Sequence, residues 1–310
     1  MALTPTGTSA NFWLYQRKLS PGWMYGRQVD ASDAQYRTFR GNFWPLLALV
    51  LAFTLPSHIA RKFWPGPQAR SRFLAAAGIV LLVALHGVSA IKVLLILGAN
   101  YAAAKAPKAP RLSRAWPAIV IIANMMMLFA NEKANGYQLG MLTSSLAWLD
   151  TPRFAGILPR WHVGFNITML RIVSFALDAH WAEPPPAGMP ADHRARTSSS
   201  VPAEQYNLSN YLAYTLYAPL YIAGPIMTFN DFVWQMQHPV EISGRSRIAY
   251  AARFAFCMLT MESILHTMYV VAIKDAHAWT GDSPAELSMI GFWNLIIVWL
   301  KVSPAVLYKF

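Results

Sequence analysis

Phe165-Asn166-Ile167-Thr168-Met169-Leu170-Arg171-Ile172-Val173-Ser174-Phe175-Ala176-Leu177-Asp178 reads as membrane-buried helix, yet it carries an arginine and an aspartate. Ionisable groups at that depth are costly, so they are paired, hydrated or functional. Arg171, Ser174 and Asp178 are spaced by three and four, which stacks them on one face of a helix, with Asn166 toward its N-terminal end. Two readings stand. The stripe lines a water-filled chamber, or it forms an ion pair that fixes helix packing. Either way the stretch predicts an all-α, multi-pass transmembrane helical bundle with a polar interior.

The composition agrees. Only 13% of the 310 residues are charged, about half of the roughly 25% usual in soluble domains. Hydrophobic residues reach 55% and mean hydropathy is +0.30. The formal net charge of +12 would suggest nucleic acid in a soluble protein. Here the basic residues gather just outside apolar runs, at Arg61-Lys62, Arg70 to Arg72, Lys105 to Arg114 and Arg245 to Arg247. That pattern fits the positive-inside rule and attraction to anionic lipid, so the partners expected are membrane lipids and no nucleic acid. The one cysteine, Cys257, permits no intrachain disulfide, and the eight histidines show no metal-ligand spacing, so no metal site is expected. No charged segment followed by a short apolar one opens the chain; insertion is expected to begin at the first span.

Residues 1–42 read as a polar tail on the membrane surface, and 43–310 as a membrane domain. Within it, Phe43 to Ser57 is a short first run with Pro45 near its start. Leu74 to Ala104 is too long for one simple span and holds His86-Gly87 at its middle; it is one long tilted helix or a hairpin broken near Gly87. Ala115 to Ala130 is a further span, and Gly140 to Leu149 a short partner segment. Residues 183–210, with Pro184-Pro185-Pro186 and Ser198-Ser199-Ser200, read as a disordered hydrophilic loop. Tyr211 to Phe229 contains Pro219, Gly224 and Pro225, breakers tolerated in a span only where neighbours satisfy the freed backbone groups. Ala249 to Ile273 is a long span. Ile290 to Leu300 opens a last one, which Lys301 and Pro304 are expected to cut.

In the 249–273 span, Glu262 and His266 lie four apart on one face. A carboxylate beside an imidazole can serve as acid–base apparatus. More often such a pair is a buried strut. His86, alone in an apolar run, reads as a packing residue. Asn166 and Asn207 both open glycosylation sequons; only Asn207, in a polar loop, is reachable.

Tyr217-Ala218-Pro219-Leu220-Tyr221-Ile222-Ala223-Gly224-Pro225-Ile226-Met227-Thr228-Phe229-Asn230-Asp231-Phe232 resembles the signature of the fungal glycerol-uptake proteins, a branch of the membrane-bound O-acyltransferases, the group that includes Hedgehog acyltransferase. Asp30 to Arg40, Asn166 to Trp181, and Phe292 to Lys301 are similar to that family too, in the same order. The resemblance implies part of a ring of helices around a chamber that crosses the membrane. It implies acyl-CoA as co-substrate, a lipid or GPI-anchor hydroxyl as acceptor, and the endoplasmic reticulum membrane, with the plasma membrane as a further location. The older label of the branch, glycerol uptake by proton symport, keeps a transporter as the alternative, beside a non-catalytic membrane partner. The chamber-lining candidates are Asn166, Arg171, Asp178, Glu262 and His266. The family's chemistry rests on a histidine in a pattern like FWRSWHRS and an upstream PENM-like stretch; these 310 residues hold neither. The resemblance therefore places the catalytic histidine beyond Phe310 and implies a chain that is inactive as it stands. Val302 to Phe310 depart from the family's continuation and are expected to be intron read-through.

Overall fold

The computed structural model describes residues 11–107, 109–141, 143–158, 160–184, 192–223, 227–238 and 242–306. In chain order the helices are α1 (Phe12–Tyr15), α2 (Ala34–Gly41), α3 (Phe43–Phe63), α4 (Pro67–His86), α5 (Ser89–Lys105), α6 (Pro110–Lys133), α7 (Trp161–His180), α8 (His193–Ser198), α9 (Leu208–Thr215), α10 (Ala218–Ala223), α11 (Phe229–Gln237), α12 (Gly244–Thr267), α13 (Val270–Asp275) and α14 (Pro284–Val306). Among the described residues the only strands are β1 (Leu19–Pro21) and β2 (Gln28–Asp30), an antiparallel ribbon with Ser20 opposite Val29. The fold is all-α. Among the described residues four stretches are long and apolar enough to cross a membrane: Phe43–Ala60, Pro67–His86, Pro110–Lys133 and Gly244–Thr267. At 1.5 Å per residue, about 20 residues match the roughly 30 Å hydrocarbon core. Leu51, Val80, Ile122 and Phe256 on these stretches are exposed. Lipid, unlike water, is an ordinary environment for such faces.

The chain forms two compact units, residues 1–49 with 241–310, and residues 50–240. In the first, residues 11–42 are more than a surface tail. Val29 of β2 and Tyr36 of α2 join Met261, Leu265, Val270 and Ile297 in one buried cluster. Asp30 accepts from the backbone N–H of Ala272 at 2.8 Å, inside the first turn of α13, and from Ser32 at 3.0 Å. Asp33 caps α2 by accepting from the Tyr36 N–H at 2.8 Å, and its other oxygen takes the Lys301 ammonium of α14. Two aspartates three residues apart thus fasten three helices. Lys301 and Pro304 do not cut α14, which continues to Val306; the lysine's charge is met by Asp33 rather than left in an apolar run. Residues 307–310, the end of the expected read-through, lie outside the described residues.

In the second unit α4 and α9 approach closely. A Cβ on Gly78 would collide with Leu216, and Ser71 hydrogen-bonds Ser209 at 3.0 Å. Small residues and interhelical hydrogen bonds are what hold helices together where lipid removes the hydrophobic drive. α3 runs on through Pro56 to Phe63, past the end expected at Ser57. Between Leu74 and Ala104 the chain breaks at Gly87, so that α4 and α5 are separate helices. Gly87 has φ 54°, and the loop after α6 docks on this corner by its backbone. Ile157 N–H donates to Ala84 at 3.2 Å, Leu158 N–H to Leu85 at 2.7 Å, and Val88 N–H to Phe154 at 3.1 Å. Carbonyls at the end of α4, which the helix itself cannot satisfy, are satisfied by this loop. A Cβ on Gly87 would meet the Phe154 carbonyl oxygen. Gly87→Ala is therefore expected to cost about 1–3 kcal/mol for the strained backbone alone, read as a lower unfolding temperature in detergent. Gly98→Ala on α5, where a Cβ meets open space, is expected to be neutral or slightly stabilising.

Gly140 to Leu149, expected to supply a partner segment, fall largely in the 3-10 turns Leu139–Met141 and Ser144–Asp150. Asp150 ties them by accepting from the N–H groups of Leu139 and Gly140. The hydrophilic segment 183–210 contains α8 and the start of α9. Arg196 of α8 pairs with buried Asp231 at 3.1 Å and lies 4.9 Å over the Trp234 ring. Asn207 caps α9 by accepting from the Asn210 N–H at 2.9 Å.

Candidate functional site: polar clamps on broken helices

The run Tyr211 to Phe229 breaks into α9, α10 and the start of α11, and each break leaves backbone groups without a helical partner. α7 supplies them. Arg171 is 2% exposed and donates to the carbonyls of Thr215 at 2.8 Å and Leu220 at 2.6 Å. Thr215 ends α9 and Leu220 lies in the six-residue α10. The guanidinium fork spans the two helices as no single-point donor can. One turn further, Ser174 Oγ accepts from the Phe229 N–H at 3.2 Å and donates to Asp178 at 3.3 Å. Asp178 accepts from the Asn230 N–H at 3.4 Å, and Thr228 Oγ1 from the Asp231 N–H at 3.3 Å. The first three N–H groups of α11 are thus all satisfied. Arg171 and Asp178 share a face, as their spacing predicts, but no ion pair joins them. Asn166 is half-buried on the same helix.

Around this clamp the signature stretch is packed with rings. Phe175 meets Tyr211 and Phe229 at centroid distances of 4.5 and 4.8 Å. Tyr214 donates to the Met227 carbonyl and Tyr206 to Asn230. Tyr221 bonds His86 Nε2 at 2.8 Å, while His86 Nδ1 bonds the Leu158 carbonyl at 2.9 Å. A carbonyl can only accept, so Nδ1 carries the proton and Nε2 accepts from the tyrosine. His86 is the packing residue expected, with both nitrogens engaged.

The first unit holds a second node. Glu262 Oε2 accepts from Trp23 Nε1 at 2.8 Å; Oε1 accepts from the Tyr36 hydroxyl at 3.0 Å and pairs with Arg40 Nε at 3.1 Å. His266, fully buried, donates from Nδ1 to the Glu262 backbone carbonyl at 2.7 Å and accepts at Nε2 from the Trp23 N–H at 3.2 Å. Gly22 makes room for that ring, since a Cβ there would collide with it. Burial, with Glu262 beside it, pushes the Tyr36 phenol well above its usual range, so it remains a donor. Burial also raises the Asp30 carboxyl, against the lowering effect of the N–H groups it accepts. A pocket of about 370 Å³ opens next to Tyr36, Arg37 and Arg40. The sequence reading found Glu262 and His266 but missed Trp23, Tyr36 and Arg40. Tyr36 and Arg40 lie in the Asp30 to Arg40 stretch that resembles the family, which marks the segment but not these side chains. Among the described residues no three His, Cys, Asp or Glu side chains gather where a metal could sit.

Apolar helices with lipid-facing hydrophobes, and charged groups turned inward onto helix ends, define a polytopic integral membrane protein. The family model of the membrane-bound O-acyltransferases (MBOAT) matches residues 139–309. The chain is 40% identical over 307 residues to the membrane-bound O-acyltransferase GUP1 of Saccharomyces cerevisiae, covering 94% of this chain and 54% of that protein. It is 38% identical to GUP1 of Candida tropicalis, over 94% of this chain and 51% of the relative. A third relative, 26% identical over 93% of this chain and 52% of its own length, is the mouse protein-cysteine N-palmitoyltransferase HHAT-like protein. The chain belongs to the membrane-bound O-acyltransferase family. It spans about half the length of the curated relatives it matches.

Proposed function

We propose that this chain forms part of an enzyme that moves an acyl group from acyl-CoA to a hydroxyl of a lipid or GPI-anchor acceptor in the endoplasmic reticulum membrane. In this reading the chain contributes anchoring and architecture, and the proton-transfer step lies outside it. The observation that carries the reading is the likeness, along 94% of the chain, to relatives named for O-acyl transfer. Geometry bears on two of this chain's histidines. The reaction needs a base that takes the acceptor's hydroxyl proton as its oxygen attacks the thioester carbonyl; the C–S bond then breaks and the thiolate leaves. Both ring nitrogens of His266 and of His86 are already bonded within their own units. Neither ring is free to serve as that base. Asn166 and Asp178, both only half-buried, remain candidates for a chamber wall. Arg171, Glu262 and His266 act behind such a wall.

The test uses labelled acyl-CoA and a lyso-lipid acceptor. Membranes carrying the 310-residue chain are expected to transfer no more label than empty membranes. A fusion of the chain to the part of the S. cerevisiae relative that the match leaves uncovered is expected to transfer it. Transfer by the chain alone would refute the division of labour. Uptake of labelled glycerol into vesicles by the fusion, without acyl transfer, would replace the enzyme with a transporter.

A further inference from the structure

α3 ends and α4 begins at a tight corner, Trp64-Pro65-Gly66, on the basic flank formed by Arg61, Lys62, Arg70 and Arg72. A pocket of about 530 Å³ lies at this corner, inside the second unit, and is closed at its back by the end of α11. That volume falls in the roughly 300–1,000 Å³ range of small-ligand sites. Its walls are apolar, from Ala60, Trp64, Phe73 and Met236, and its polar groups include Arg70 and Arg72. Among the described residues Arg70 makes one hydrogen bond, to the Met236 carbonyl at 3.5 Å, and Arg72 makes neither a hydrogen bond nor an ion pair. A guanidinium has five donors, so two cations with donors to spare share a mainly apolar pocket, whose other polar side chains are the neutral Ser57 and Gln237. Among the described residues no acidic side chain lines it. Trp64 is 67% exposed at the same level, as rings at the boundary between headgroups and hydrocarbon are.

We propose that this corner is a binding site for one anionic phospholipid, its phosphate held by Arg70 and Arg72 and its glycerol and upper acyl segments lying on Ala60, Phe73 and Met236. Charge complementarity chooses this occupant. Basic flanks face the cytoplasmic leaflet, the leaflet that carries anionic lipid. Both flanking helices, α3 and α4, are long and apolar enough to cross the bilayer, so a lipid tail leaving the pocket meets hydrocarbon at once. The site shares no residue with the polar clamp of α7 and does not depend on acyl transfer.

The experiment purifies the chain in mild detergent and measures retention of phosphatidylglycerol, phosphatidylinositol and phosphatidylcholine by native mass spectrometry. The anionic lipids are expected to be retained over phosphatidylcholine. Arg70→Gln with Arg72→Gln is expected to lower that preference roughly thirtyfold, given the attraction each basic group has for anionic lipid. Arg70→Lys with Arg72→Lys is expected to keep most of it, which separates a lost site from a misfolded chain. Arg245→Gln with Arg247→Gln, which removes equal charge at the start of α12, is expected to leave retention unchanged. Equal retention of all three lipids, or equal loss in the 245/247 control, would overturn the proposal. So would displacement of the lipid by inorganic phosphate or by acyl-CoA at matched concentration, since the site would then recognise phosphate rather than a membrane lipid.

Discussion

Arg171→Met is expected to destabilise the second unit by about 2–6 kcal/mol, the cost of leaving two buried backbone acceptors unsatisfied. Methionine fills much of the space and adds no polar atom, so the loss reports the hydrogen bonds rather than a cavity. What it leaves behind is the carbonyls of Thr215 and Leu220, each at a helix end, each buried, with no water to take over. Two neighbouring breaks then lose their common partner, and α9 and α10 lose a side chain that spans them both. Thermal unfolding in detergent, followed by near-UV circular dichroism, reads the effect. Arg171→Lys is expected to recover less than half of it, because an ammonium is a point donor and the carbonyls need a fork. An unfolding temperature equal to wild type in the methionine variant would show that the clamp carries no stability.

The clamp also shows which parts of this fold are legible in the chain. The spacing of Arg171, Ser174 and Asp178 places them on one helix face because helical periodicity is local. Pro219, Gly224 and Pro225 mark broken helix for the same reason. Their meeting is not legible, because Arg171 reaches residues 44 and 49 positions later and Asp178 one 52 later. The pattern leaves open a chamber-lining stripe or an ion pair between Arg171 and Asp178, whereas the structure spends both groups on backbone. Gly87 is similar. An isolated glycine suggests a break, and only the docked 154–158 loop makes that break necessary. The first apolar run misleads in the other direction, since it reads as ending at Ser57 and the helix carries on to Phe63. The first 42 residues are the hardest. Their polar composition suits a surface tail, while their function in the first unit lies in Val29, Asp30, Asp33 and Tyr36, whose partners sit more than 200 residues away.

Glu262→Leu is expected to release that N-terminal segment from α12. In the native arrangement one carboxylate satisfies three donors, from Trp23, Tyr36 and Arg40. All three belong to the stretch before α3, so the carboxylate acts as its fastening. Leucine is apolar and similar in size, and it strands a buried tyrosine hydroxyl, an indole N–H and a partly exposed guanidinium. Stranded buried donors cost about 1–3 kcal/mol each; the buried Tyr36 hydroxyl carries most of that, since water reaches both Arg40 and Trp23. A net loss of about 2–4 kcal/mol follows. Glu262→Gln is expected to cost about half as much, since the amide keeps one acceptor but turns a donor toward one of the three. The specific readout is limited proteolysis. Arg27 and Arg37 flank β2 and α2, and trypsin is expected to cut there much faster in Glu262→Leu than in wild type, with Glu262→Gln between them. If Glu262 were instead an acid–base group with a loosely held side chain, the glutamine variant would cut at the wild-type rate. The strut reading would then fail, and the 262–266 pair would return as a candidate for proton transfer.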